Sequence, residues 1–256
     1  MRKRRLTLGR LAALLAITAV VAACGRGDSN PLSDTERAMA DLEAGRIDLT
    51  LAASAAGDGG PTKPVGFRMQ GPFAIHAGGK YPTLDMRYTA FLGDEERVTQ
   101  VVSDGQAVEV VRNGTRTTVP PAQARFLRLG KRGAGFTDLG VAGWVNDPTV
   151  VERPDGTRII TGAVDVADVL SDLARISGQI GGLGDVDALD RDGARRLQRL
   201  VRHSDFTAEL DRAGFPRNLQ AVVDFGREVP AELRAALGPY ASPRLEVTLA
   251  VEPADH

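Results

Sequence analysis

A thiol, three imidazoles and a basic glycine turn are the groups in this chain whose chemistry could go beyond folding. The thiol is Cys24, the sole cysteine. With no second cysteine, an intrachain disulfide is ruled out, and a lone thiol directly behind an apolar run is placed for covalent modification. The imidazoles are His76, His203 and His256. His256 is terminal, His203 is expected beside a helix end, and His76 is expected in a strand after Ile75. No H-E-x-x-H pair and no Cys/His ligand spacing links them, so a metal site is not expected. Gly130-Lys131-Arg132 has the lysine of a phosphate loop without the Ser or Thr that must follow it. The glycines from Gly178 to Gly184 follow a predicted helix, whereas a dinucleotide fingerprint precedes one. Glu95-Glu96, and Asp185 with Asp187, fall in turns, where solvation accounts for them without acid–base work. With no nucleophile, base and acid in a readable pattern, the expectation is a protein that is not an enzyme and uses no cofactor.

What must position Cys24 is the segment before it. Residues 2–5 read Arg-Lys-Arg-Arg, Leu11 to Ala23 is an almost unbroken apolar run, and the first acidic residue is Asp28. A membrane-spanning helix needs about 20 apolar residues, and this run is shorter. Its basic front and small-residue exit are those of an export signal, expected over residues 1–23. The exit, Val21-Ala22-Ala23-Cys24, resembles the lipobox of bacterial lipoproteins. That resemblance implies diacylglycerol on the Cys24 thiol, cleavage before Cys24, and acylation (palmitate is the usual chain) of the new amine. The expected location is the extracytoplasmic face of the cell membrane. Each buried methylene contributes about 0.8 kcal/mol, so two or three acyl chains anchor far more firmly than one.

The leader carries five of the 32 basic residues, which leaves 27 basic against 33 acidic side chains and a net charge of −6 for the rest. No basic stripe remains for phosphates, so nucleic acid is an unexpected partner, as is purely electrostatic adhesion to anionic lipid. The expected membrane contact is covalent lipid.

Behind Cys24, residues 24–32 hold Gly, Asp, Ser, Asn and Pro without apolar periodicity and predict a flexible tether. One domain is expected over residues 33–253. Ser33 stands three before Glu36 in a capping-box spacing, and Ala38, Met39 and Leu42 share a face, which predicts a helix from Asp34 to Glu43. From Arg46 the period becomes two: Ile47, Leu49 and Leu51, then Val65, Phe67 and Met69, then Leu84, Met86 and Tyr88 alternate with polar residues. Val98–Ser103, Ala107–Val111 and Thr115–Val119 continue the pattern, the last pair joined by Asn113-Gly114 in a type I′ turn. An antiparallel meander is the simplest assembly. Ala122 to Leu129 predicts a short helix, and Asn146-Asp147-Pro148 a break in the chain. A hairpin turning at Pro154-Asp155-Gly156 follows it.

Val166, Val169, Leu170, Leu173 and Ile176 form the stripe of a second helix. A third is expected from about Asp192 to Arg202. Phe206–Leu210, Leu219–Phe225 and Leu245–Val251 read as closing strands, so the fold class is α+β. The informative feature is apolar. Phe67, Met69, Met86 and Tyr88 share a face on neighbouring strands, and Val169, Leu170 and Leu173 offer a facing stripe. These seven residues are candidates to line a lipid-binding cavity. An ordinary filled core would show the same pattern, and the sequence leaves both readings open.

The order of lipobox, tether, helix, about six antiparallel strands, Trp144, the Asp147-Pro148 break, a hairpin ending Ile159-Ile160-Thr161-Gly162-Ala163-Val164, a helix and three final strands resembles the LppX/LprA/LprF/LprG lipoproteins of actinobacteria. These are relatives in fold of the periplasmic carrier LolA. The likeness runs from about Ser33 to Pro253 and is strongest from Asp147 to Leu173. It implies a curved antiparallel β-sheet, or half-barrel, with helices packed on its concave face and an apolar cavity between the layers. It also implies a ligand that is an acylated lipid or glycolipid, bound or transferred at the cell envelope. No polar family signature maps onto individual residues here, and the stretch from Gly178 to Val201 looks like additional sequence. The competing expectation is a non-enzymatic envelope adaptor or sensor with a filled core that binds a protein partner. A cavity of several hundred Å³ would separate the first from the second.

Overall fold

The computed structural model describes residues 30–55, 63–76, 78–122, 124, 139–172, 198–225 and 243–254. Cys24 with its leader, Leu173, and the helix expected at Ala122–Leu129 from residue 125 onward lie outside these residues, as does most of the helix expected at Asp192–Arg202.

The first helix, α1, spans Ser33–Ala40, one residue earlier at its start and three shorter at its end than expected. The capping box between Ser33 and Glu36 does not form. Leu32 holds the N-cap position without a side-chain cap. Asn30 turns the chain instead, its Oδ1 accepting from the Leu32 N–H at 2.9 Å and its carbonyl from the Ser33 N–H at 2.9 Å. Leu32 is fully buried, and burying a leucine contributes about 1.5–3 kcal/mol, enough to dock the residues around it.

Eleven strands form one antiparallel sheet: β1 (Ala44–Ala55), β2 (Val65–Ala74), β3 (Thr83–Leu92), β4 (Glu95–Asp104), β5 (Val108–Arg112), β6 (Thr115–Thr118), β7 (Val145–Glu152), β8 (Arg158–Val164), β9 (Val201–Leu210), β10 (Pro216–Phe225) and β11 (Pro243–Pro253). Their spatial order is β6-β5-β4-β3-β2-β1-β11-β10-β9-β8-β7. The first six strands make a meander running outward from β1. The chain then crosses to the far edge, and β7 to β11 meander back until β11 pairs with β1 from Gly45↔Pro253 to Ala55↔Pro243. The tight turns follow their residues. Asn113 (φ 50°) and Gly114 (φ 78°) both take the positive φ that a type I′ hairpin requires.

Two further expectations give way. Asn146-Asp147-Pro148 does not break the chain but lies within β7, as a bulge between Asn146 and Thr149 with Asp147 at φ 49°. β7 is an edge strand, where a proline's missing N–H costs no ladder bond. Val201 and Arg202, expected to end a helix, begin β9, with Val201 pairing Phe225; a β-branched residue suits that pleated surface.

Period-two alternation gives the sheet two unlike faces. One face, here called inward, carries Ile47, Leu49, Phe67, Met69, Phe73, Leu84, Met86, Tyr88, Ile160, Phe206, Ala208, Leu219, Ala221, Val223, Val247, Leu249 and Val251, all buried in one apolar cluster. Leu32, Met39 and Leu42 from α1 and its flanks, and Trp144 from the 3-10 turn Val141–Trp144, belong to the same cluster. Residues 166–172 are helical and contribute Val166 and Val169. This helix is tied to the segment before β7 by one carboxylate. Asp172 Oδ2 accepts from the Trp144 indole Nε1–H and from the Gly140 N–H, both at 2.8 Å. The outward face of β1–β6 carries cross-strand pairs such as Arg68 with Asp48 and Arg116 with Glu109.

Candidate functional site

The register brings together four of the residues expected to line a cavity. Met69 pairs Tyr88 across β2 and β3, while Phe67 pairs Ala90 and so lies diagonal to Tyr88. The Phe67 and Tyr88 rings stack with centroids 5.5 Å apart and planes at 23°, an arrangement that contributes beyond area burial. Met86 sits one inward position further along β3 and is buried with them. Burial pushes the Tyr88 phenol pKa up, so it stays neutral at physiological pH. Val169 is buried in the same cluster, and Leu170 is partly buried against it. Leu173 and Cys24 lie outside the described residues.

Burial along the inward face is uneven, and its gradient runs along the strands of β1–β3. The register aligns the row Leu249, Leu49, Met69 and Tyr88, in which every residue is buried. Two positions along, the row Val247, Leu51, Phe67 and Ala90 alternates buried and half-buried residues. Two more along, Leu245, Ala53 and Val65 are half-buried and Leu92 is 55% exposed. An apolar face that is dry at its centre thus emerges into solvent at one end of β1–β3. Thr35, on the α1 stripe between Leu32 and Met39, is fully buried in a helix that packs against the 3-10 turn Val141–Trp144.

The sequence reading missed a concavity on the other face of the sheet. A groove of about 480 Å³ crosses the outward face of β8–β11, lined by Thr161, His203, Asp205, Thr207, Gln220, Val222, Asp224 and Arg244. Alternation within β9 puts His203, Asp205 and Thr207 on one face, a signal lost when that segment is read as a helix end. His203 Nε2 lies 2.6 Å from Asp205 Oδ2, and Gln220 Nε2 donates to Glu246 Oε1 at 2.7 Å. Ser204 faces the other way, its Oγ accepting from the Val164 N–H at 3.2 Å. Among the described residues no group of three His, Cys, Asp or Glu side chains is placed to hold a metal ion. His76 is exposed beyond the end of β2.

No family model matches the chain, and no curated protein matches it. Among solved structures it is similar to LprF from Mycobacterium bovis, at 13% identity and a TM-score of 0.41, over 88% of this chain and 92% of that one. It is also similar to the LolA superfamily protein NE2245 from Nitrosomonas europaea, at 10% identity and a TM-score of 0.25, over 89% of this chain and 95% of that one.

Proposed function

We propose that this chain is an envelope lipoprotein, held at the extracytoplasmic face of the cell membrane by lipid on Cys24, that binds an acylated lipid or glycolipid against the inward face of its sheet. In this reading the sheet is a half-barrel and the helices cover its concave side. Acyl chains lie along Phe67, Met69, Met86 and Tyr88, opposite Val169 and Leu170, and pass out over the row that ends at Leu92. One observation carries the reading: a continuous apolar face is dry at its centre and half-exposed at one end. Aliphatic residues left wet at the end of a buried layer cost free energy unless something apolar covers them, and an acyl chain covers them without a directional contact. Methionine thioethers adapt to chains of differing shape. No step needs a cofactor.

The test uses the purified, delipidated full chain and a fluorescent acyl lipid. Wild type takes up the lipid, and Leu170→Trp loses uptake while its melting temperature moves little, because the added ring occupies acyl space. Absence of uptake by wild type, with Leu170→Trp destabilised by the roughly 1–3 kcal/mol of an overpacked core, overturns the reading. Anchoring is tested apart: Cys24→Ala abolishes palmitate labelling and membrane retention. A second reading, an adaptor for an envelope protein, draws on edge strand β7, where Val150 and Val151 are 44% and 56% exposed.

A further inference from the structure

The buried stripe of α1 and its flanks reads Leu32, Thr35, Met39 and Leu42, three apolar side chains and one hydroxyl. Thr35 is fully buried, and among the described residues its Oγ1 has no hydrogen-bond partner. Buried hydroxyls in native proteins are nearly always paired, because desolvating one without a partner is costly. The other two buried polar residues among those described obey that rule. Ser103 Oγ accepts from the Gly105 N–H at 3.1 Å, and Thr157 Oγ1 donates to Asp155 Oδ1 at 2.7 Å, each within its own turn. Thr35 sits in a helix whose stripe faces an apolar layer, where valine would have the same shape without the cost.

We propose that the Thr35 hydroxyl is a ligand-binding group, donating a hydrogen bond to the ester carbonyl of a bound acyl lipid. The inference rests on the lipid-binding reading and narrows it to ester-linked chains. An ester carbonyl is an acceptor with no proton of its own, flanked by methylenes, so it enters an apolar layer at small cost and leaves no donor unpaired. Thr35 supplies one donor and no charge, which matches that need. The acyl chain then runs from the carbonyl along the stripe, the glycerol lies on the other side of the ester oxygen, and the polar pair is closed within the layer.

The experiment measures binding of a diacylglycerol and of its dialkyl ether analogue, which lacks the carbonyl, to the full chain as wild type, Thr35→Val and Thr35→Ser. Wild type prefers the ester by about three- to tenfold, the range that one net hydrogen bond provides. Thr35→Val reduces the ratio to near one while melting no lower than wild type in the absence of lipid, and Thr35→Ser keeps the preference. Equal binding of ester and ether by wild type overturns the inference and leaves lipid binding standing; this arm needs no variant to fold. An ester preference that survives in Thr35→Val also overturns it. Failure of wild type to bind either lipid overturns the lipid-binding reading itself.

Discussion

Strands β1–β6 and β7–β11 present inward faces of different make. Across β2 and β3 that face includes Phe67, Met69, Phe73, Leu84, Met86 and Tyr88; across β8–β10 it includes Ile160, Gly162, Phe206, Ala208, Leu219, Ala221 and Val223. The first set is large, and its thioethers are flexible; the second is mostly small or branched. The same crosswise row ends differently in the two directions. From Leu245 it passes through Ala53 and Val65 to a 55%-exposed Leu92 on one side. On the other it passes through Val223 to Ser204, whose hydroxyl accepts from the N–H of the fully buried Val164. Small residues let the neighbouring strand approach closely: a Cβ at Gly162 would lie 2.5 Å from Cγ2 of Val145, at the start of β7. The row of the second half thus ends at a hydrogen-bonded, buried position, while the first keeps adaptable side chains and a wet end. The outward faces differ in the opposite sense, with paired charges over β1–β6 and the polar groove over β8–β11.

The largest effect expected from breaking this contrast is at Gly71, in β2, which has φ 155° and whose missing Cβ makes room for the Asp85 carbonyl and the Met86 backbone. Gly71→Val should cost roughly 4 kcal/mol from backbone strain and overpacking together. Urea unfolding measures it, and a loss under about 1 kcal/mol would show that β2 and β3 do not approach as described. Next comes a paired truncation. Leu219→Ala, in the closed half, should cost about 3 kcal/mol, and Met86→Ala nearer 1 kcal/mol if the space beside it is adaptable. Equal losses would erase the contrast and favour a filled core throughout.

Asp172→Ala removes the acceptor shared by the Trp144 indole and the Gly140 N–H. Leaving these donors unpaired should cost about 2 kcal/mol, read as a lowered midpoint with changed Trp144 fluorescence. The smallest effect concerns Asp168 on the same helix, whose carboxyl pKa is raised by burial and then by the neighbouring Asp165 and Asp172. The folded state therefore disfavours its ionised form. The destabilisation is present above the raised value, fades as pH falls through it, and is gone below the ordinary carboxylate range. Asp168→Asn should melt slightly above wild type near pH 7 and indistinguishably from it near pH 3. A gap that persists at the lower pH would point to packing rather than charge.

Much of the sheet is readable residue by residue, because half-burial imposes an apolar residue at every second position. Ile47, Leu49, Phe67, Met69, Leu84, Met86 and Tyr88 could be assigned to one face on that ground alone. The misreadings share a cause. Asn30 organises the start of α1 through its Oδ1 and carbonyl, although Ser33 and Glu36 offer the better local pattern. Pro148 signals a break unless one knows that β7 is an edge. His203 looks like the neighbour of a helix end until Val201 is paired with Phe225. In each case the local preference is real and a distant partner overrides it.

The alternation of side chains, the turns at Asn113-Gly114 and Pro154-Asp155-Gly156, and the basic and apolar leader before Cys24 are properties of neighbours along the chain, and the sequence by itself determined them. Strand order was decided by the tertiary structure. Backbone N–H and C=O groups are alike on every strand, so nothing local tells β1 to pair with β11; that pairing follows from one apolar face being buried as a single layer. The same holds for the candidate site. Phe67 and Tyr88 were legible as apolar, but whether their row closes over itself, as at Val223, or emerges at Leu92 depends on what packs across it. That is a property of three dimensions, because burial is set by neighbours that lie far apart in sequence.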